Sequence, residues 1–457
     1  MKQKYIFIAL IFLQVWACKK ENPQNKVDIR ARIINARTDE VLVAKNFLFI
    51  HADTLSIENE NEIKGKVQTD SEGLYFIYIY PEFQTVYLKP GDSLAFHINI
   101  DEFDESLSFS GNLGFENNLL MELYLINEKE SEYFYKAHFQ FQPDEFLSKI
   151  DSFSLYSQNL LHNYQKELKN TTSKYRKIID LWEKSLQYNL KEAYLIRHPD
   201  ADLPENYTAY HQILHSKLPD ANIIYMYAFV ENYIRRKLSG EISSPEEWYR
   251  KTAEIINKNI SDNDFKDNLL AKYCFRYIKE KKIKQLDSIT RLFFKHIQNP
   301  SYTNFCKQHI EKNKRLQAGN KFPSVELRSP QNQKKLSDSI FKNQKILLSF
   351  WDLKRRKNFI SNLEKLKKIK EEFPKLEIIV LNTDSRLFDE WLLELPVDSK
   401  IKFYQISRTS DKEKISPYHP AQIFLIENNS IKKSMLNMYA TGFKKELQKF
   451  INGKTNK

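Results

Sequence analysis

At 457 residues the chain is too long for one ordinary core, and at about 150 residues per domain it divides into roughly three. Its 41% hydrophobic and 13% aromatic residues exclude a disordered chain, because they supply enough apolar surface to offset chain ordering. Only 9 glycines stand against 31 Phe and 25 Tyr, which suits long helices and a few tightly turned strands, and the net charge of +12 makes an acidic partner worth seeking.

A basic start, Met1-Lys2-Gln3-Lys4, precedes mostly apolar residues from Tyr5 to Ala17, and then comes Cys18. The apolar run is too short to span a bilayer and reads as the core of a signal peptide. Val15, Ala17 and Cys18 together resemble the lipobox of bacterial lipoproteins. That resemblance implies that 1–17 is a cleaved signal peptide, that Cys18 is lipidated, and that 18–26 is a polar linker. The protein would then be anchored to a membrane of the cell envelope and face the periplasm, with inner versus outer membrane left open. Secretion without lipidation is the alternative. Two other cysteines remain, Cys274 and Cys306, both in helical patterns. An envelope location permits a disulfide between them, and two buried free thiols fit equally well.

From Val27 the apolar residues Val27, Ile29, Ala31 and Ile33 alternate with Asp28, Arg30 and Arg32, the period of a half-buried strand. Further strands are expected at 74–80 after Asp70-Ser71-Glu72-Gly73, at 85–88, and at 94–100 after Pro90-Gly91-Asp92. An antiparallel β-sandwich over 27–114 is the natural assembly. Its Gly-Leu-Tyr-Phe turn and Leu-Lys-Pro-Gly-Asp-Ser-Leu segment resemble a small β-domain that often precedes TlpA-like domains in envelope lipoproteins.

Over 115–317 the alternation gives way to long amphipathic segments, with no glycine between Gly114 and Gly240. This is a helical middle domain. Ser244-Pro245-Glu246-Glu247 marks one helix start, with a capping serine, proline at the first helical position and glutamate three residues after the serine. His211 and His215 stand four apart, which on an α-helix would share a face. Gln212 occupies the place of the glutamate in a His-Glu-X-X-His motif and no third ligand is identifiable, so no metal is assigned and no cofactor is expected.

The remaining 318–457 carries a different pattern. Ile346, Leu347, Leu348, Phe350 and Trp351 form an apolar run that breaks into Lys354-Arg355-Arg356-Lys357, followed by Phe359, Ile360, Leu363, Leu366, Ile369 and Phe373 at helical spacing until Pro374. A second buried strand spans Leu376 to Leu381, a helix is expected over 385–395 with Trp391 on its apolar side, and Ile423 to Ile426 is a third strand ending in the turn Asn428-Asn429. Gly442-Phe443 leads into a last helix to Ile451.

These segments, with Lys321-Phe322-Pro323 at the entry and Tyr418-His419-Pro420 before the penultimate strand, resemble TlpA-like thioredoxin-fold proteins. The fold class expected is therefore multi-domain α+β: an N-terminal β-sandwich, a helical middle domain and a C-terminal thioredoxin-like α/β domain. The resemblance places the family's Cys-X-X-Cys on Arg355 and Asn358 and makes Pro420 the candidate cis proline. A thiolate must attack and a second thiol resolve in disulfide exchange, and Arg355 and Asn358 do neither. No cysteine lies between Gly319 and Lys457.

The same stretch holds 28 Lys plus Arg against 16 Asp plus Glu, a net of +12 that equals the whole chain's. Cations at a helix amino terminus, where exposed N–H groups already carry positive charge, favour an anion. Lys354, Arg355, Arg356, Lys357 and His419 are thus candidates for binding an acidic ligand or envelope protein; a solvated charge run is the plainer reading. Nucleic acid is not expected, because no aromatic stacking pattern accompanies the basic run. The function expected is a lipid-anchored binding or scaffold module, the alternative being a thiol-disulfide oxidoreductase or disulfide carrier using Cys274 and Cys306.

Overall fold

The computed structural model describes residues 25–36, 38, 40–58, 61–80, 82–137, 140–240, 242–351, 356–383, 388–396, 400–408, 411, 414–415 and 422–453, without the side chains of 137, 356–358 and 390. The protein is mixed α/β, with three sheets among the described residues, and divides into two compact units, 1–269 and 270–457.

In the first unit, β1 (Lys26–Ile34), β2 (Glu40–Ala44), β3 (Asp53–Ser56), β4 (Glu62–Gln68), β5 (Gly73–Ile79), β6 (Glu82–Leu88), β7 (Ser93–Asn99) and β8 (Ser108–Ser110) form two four-stranded sheets. Their orders are β4-β1-β7-β8 and β3-β2-β5-β6. Val27, Ile29, Ala31 and Ile33 are buried while Asp28, Arg30 and Arg32 between them are exposed, as the alternation predicts. One pairing departs from an antiparallel arrangement: β1 and β7 run parallel, with Ile29 opposite Leu94. The second sheet lies between them in sequence, and that length of chain lets a parallel partner return.

Helices α1 (Gly114–Ala137), α2 (Pro143–Asn163), α3 (Ser173–Arg197), α4 (Ile224–Lys237) and α5 (Pro245–Asn259) follow. The start of α1 is tied to the strands by two amides that copy backbone pairing. Asn117 accepts from Tyr87 N at 2.7 Å and donates to Tyr87 O at 3.0 Å, and Asn118 does the same for Phe109 at 2.9 Å each way. The Thr172 hydroxyl caps α3, accepting from Tyr175 N at 3.0 Å, and also meets the Tyr87 hydroxyl. Ser244 caps α5 as expected, but Glu247 reaches Ser243 N at 3.0 Å instead of the capping residue.

A further tie joins the segment before α4 to the start of β5. Asp220, 6% exposed, accepts from Leu74 N at 3.0 Å and Asn222 N at 2.9 Å, and the Asn222 amide donates to Leu74 O at 2.9 Å. Gly73, at φ +147°, makes the approach possible, since a Cβ there would stand 2.2 Å from Asp220 Oδ2.

The division between units falls inside α6 (Asn263–Lys281). The second unit continues with α7 (Ser288–His296), begun by a capping box of Asp287 and Thr290, and α8 (Pro300–Arg315). Its sheet comprises β9 (Glu326–Arg328), β10 (Lys334–Leu336), β11 (Lys345–Trp351), β12 (Glu377–Asn382), β13 (Lys402–Ile406), β14 (Gln422–Glu427) and β15 (Ser430–Asn437). The order is β10-β9-β13-β12-β11-β14-β15, with β11, β12 and β13 mutually parallel and β14 antiparallel to β11.

The continuous apolar run of β11 is explained by burial on both faces. Leu347 and Trp351 pack with Phe359, Leu363 and Leu366 of α9 (Arg356–Glu372), Trp391 of α10 (Phe388–Leu393) and Leu447 of α11 (Phe443–Ile451). Ile346, Leu348 and Phe350 pack on the other side with Phe322, Phe341, Ile379 and Phe424. The helical stripe is narrower than expected: Ile360 is 50% exposed, because it lies a hundred degrees round the helix from Phe359. Asn428 and Asn429 turn β14 into β15 with φ of 50° and 62°, a conformation asparagine tolerates better than most residues.

Candidate functional site

The chain leaves β11 for β12 and β13 on one side and returns to β14 on the other, so the sheet has a switch point at β11. In open α/β sheets ligands bind beyond the carboxyl ends of the strands at such a point. The carboxyl end of β11 is fixed at Trp351. Its carbonyl accepts from Thr383 N at 2.8 Å and Thr383 Oγ1 at 3.2 Å, and its ring stacks on Phe359 at 3.8 Å between centroids and 18° between planes. Strand and helix are thereby locked at the junction. The entry to β14 lies at the same end, since Ser349 is opposite Ile423.

Lys354, Arg355, His419 and Pro420 lie outside the described residues, as does Cys18. Arg356, Lys357 and Asn358 belong to the first turn of α9, and their side chains are outside the description. The described residues at the end of β11 and on α10 are apolar and buried: Trp351 is 2% and Trp391 0% exposed, and the Trp351 Nε1 has no hydrogen-bond partner among the described residues.

Cys274 on α6 and Cys306 on α8 are brought together, flanked by the Phe275–Phe305 ring contact at 5.0 Å. Both are free thiols and 0% exposed. Burial pushes the Cys274 thiol well above its usual range, and its hydrogen-bonded neighbour Cys306 adds to the rise. A reactive cysteine is the reverse, partly exposed and shifted toward thiolate.

His211 and His215 lie in a 3₁₀ helix, Ala209–His215, where three residues make a turn and a spacing of four does not share a face. His211 instead contacts Glu192 on α3, which also accepts from Arg236 Nε at 2.8 Å and from the Tyr210 hydroxyl at 2.9 Å. Sequence reading missed this cluster because its members come from three segments with no shared spacing. Among the described residues no group of three or more His, Cys, Asp or Glu could hold a metal ion. No described helix is long and apolar enough to cross a membrane.

No family profile matches the chain, and no curated protein matches it. Solved structures do. The thioredoxin domain of a thiol-disulfide oxidoreductase from Bacteroides vulgatus is similar at 19% identity over 30% of this chain and 99% of that one, with a TM-score of 0.23. A thiol:disulfide interchange protein from Bacteroides sp. is similar at 19% identity over 31% of this chain and 94% of that one, with a TM-score of 0.25. A thioredoxin-like protein from Porphyromonas gingivalis is similar at 12% identity over 29% of this chain and 90% of that one, with a TM-score of 0.25. The thioredoxin-like likeness thus extends over about 30% of the chain.

Proposed function

We propose that the chain is a membrane-anchored envelope protein whose thioredoxin-like part is a binding or scaffold module and not a redox catalyst. The observation that carries this reading is the absence of cysteine from Gly319 to Lys457, with Arg355 and Asn358 at the positions that resemble the redox pair. The two thiols elsewhere support it: both are sealed from solvent, and Cys274 is held as a thiol. The anchor is Cys18, lipidated after removal of 1–17. The ligand surface is the basic junction Lys354 to Lys357 with His419, which favours an acidic envelope protein or a carboxylate- or phosphate-bearing ligand.

Disulfide exchange with dithiothreitol, read by alkylation and mass, tests the first half. The parent chain is expected to be inert, while a variant carrying Arg355→Cys and Asn358→Cys oxidises and exchanges. A parent that exchanges and loses activity on Cys274→Ser would replace this reading with an oxidoreductase acting through Cys274 and Cys306. For the second half, Arg355→Glu with Lys357→Glu is expected to weaken binding of an oligoglutamate peptide at low salt by tenfold or more. Unchanged affinity would remove the anion site.

A further inference from the structure

The first unit contains a cleft whose charge is opposite to that of the chain as a whole. Glu82 on β6, Asp104 and Glu105 on the short helix Phe103–Ser106, and Glu128 on α1 line a cavity of about 260 Å³. Some exposed carboxylates elsewhere are matched at short range, as in Asp180 with Lys184 at 2.7 Å and Glu254 with Arg250 at 2.8 Å. Among the described residues, none of the four in the cleft has a cationic partner. Two of them are shifted: burial and then Glu105 raise Asp104 above the ordinary carboxylate range, and burial, Asp104, Glu132 and Glu105 raise Glu128.

A second observation comes from the wall of the same cleft. Thr85 is 4% exposed, and its Oγ1 has no hydrogen-bond partner among the described residues. An unpaired buried hydroxyl is a cost to the folded state. A donor entering the cleft would relieve it. The rings of Phe103 and Tyr124 line the same space. They offer an apolar wall to a methylene chain and a π face to a cation.

We infer that this cleft binds the ammonium or guanidinium end of a short unbranched chain, with Glu82, Asp104, Glu105 and Glu128 supplying the countercharge, Thr85 accepting a hydrogen bond, and Phe103 and Tyr124 flanking the alkyl part. A bare metal ion fits less well, because no three of these carboxylates lie close enough to ligate one. The volume suits a small ligand, falling just under the roughly 300–1,000 Å³ of drug-sized sites. Free amines and basic peptide side chains share this chemistry, and the experiment separates them.

Titration calorimetry on the full chain at low ionic strength and pH 8 would use 1,5-diaminopentane and N-acetyl-lysine methylamide as probes. Saturable binding of either is expected. Asp104→Asn with Glu128→Gln weakens it tenfold or more, Thr85→Val weakens it several-fold, and Asp180→Asn outside the cleft leaves it unchanged. Binding of the diamine alone assigns the site to free amines; binding of the lysine derivative assigns it to peptides. The inference is overturned if neither probe binds, if Asp104→Asn with Glu128→Gln binds as the parent does, or if magnesium at matched ionic strength displaces the diamine completely.

Discussion

Glu130 on α1 and Glu192 on α3 are equally removed from water, at 3% and 0% exposed, and they titrate in opposite directions. Glu130 has an Oε1 without a hydrogen-bond partner among the described residues, and burial followed by the nearby Glu183 pushes its carboxyl up to about 8. Burial pushes Glu192 upward too, but hydrogen bonds from His211 and Arg236 together with the Arg236 charge outweigh it and hold the carboxyl below its usual range. Burial sets the cost of a charge. The partners decide whether the charge survives.

The sharpest way to break this comparison is pH. A carboxyl raised in the folded state contributes stability that is intact below its unfolded value of 4.5 and is lost as pH climbs through about 8. Across that window Glu130 is expected to withdraw about 4 kcal/mol. Urea unfolding at pH 5 and pH 8 measures it, and Glu130→Gln should remove the slope; a variant with the parent's slope would place the titration elsewhere. Glu192 has the opposite sign: its stabilisation is present above the unfolded pKa and disappears as pH falls through the depressed folded one.

Removing a partner comes next. Arg236→Met leaves Glu192 buried with less countercharge and should cost about 3 kcal/mol, read as a lower unfolding midpoint at pH 7. Asp220→Ala strands the Leu74 and Asn222 N–H groups and should cost about 2 kcal/mol, with faster amide exchange at Leu74 than in the parent. The smallest effect expected is Thr172→Ala, which uncaps the helix carrying Glu192 for about 1 kcal/mol; a silent substitution would show that Tyr87 and water replace the cap.

Much of the second unit was legible because its strands are sealed on both faces and therefore written as unbroken apolar runs, as at Ile346–Trp351 and Ile378–Leu381. Pro374 after α9 and the paired asparagines at 428 and 429 punctuated the rest. In the first unit β4 escaped notice because Ile63 and Val67 are separated by Lys64, Gly65 and Lys66, and β3 is only 4 residues long. The acidic cleft was illegible for a deeper reason. Glu82, Asp104 and Glu128 meet only after a strand, a short helix and a long helix have packed, and no local spacing encodes that meeting.

The position of β1 inside its sheet has a mechanical meaning. It is the first described strand of the chain, yet it sits between β4 and β7, matched to each along seven register pairs. A pull on the amino end therefore drags a central strand lengthwise against two ladders at once. Both must shear together before β1 leaves the sheet, so a tether at that end would load two ladders and not one.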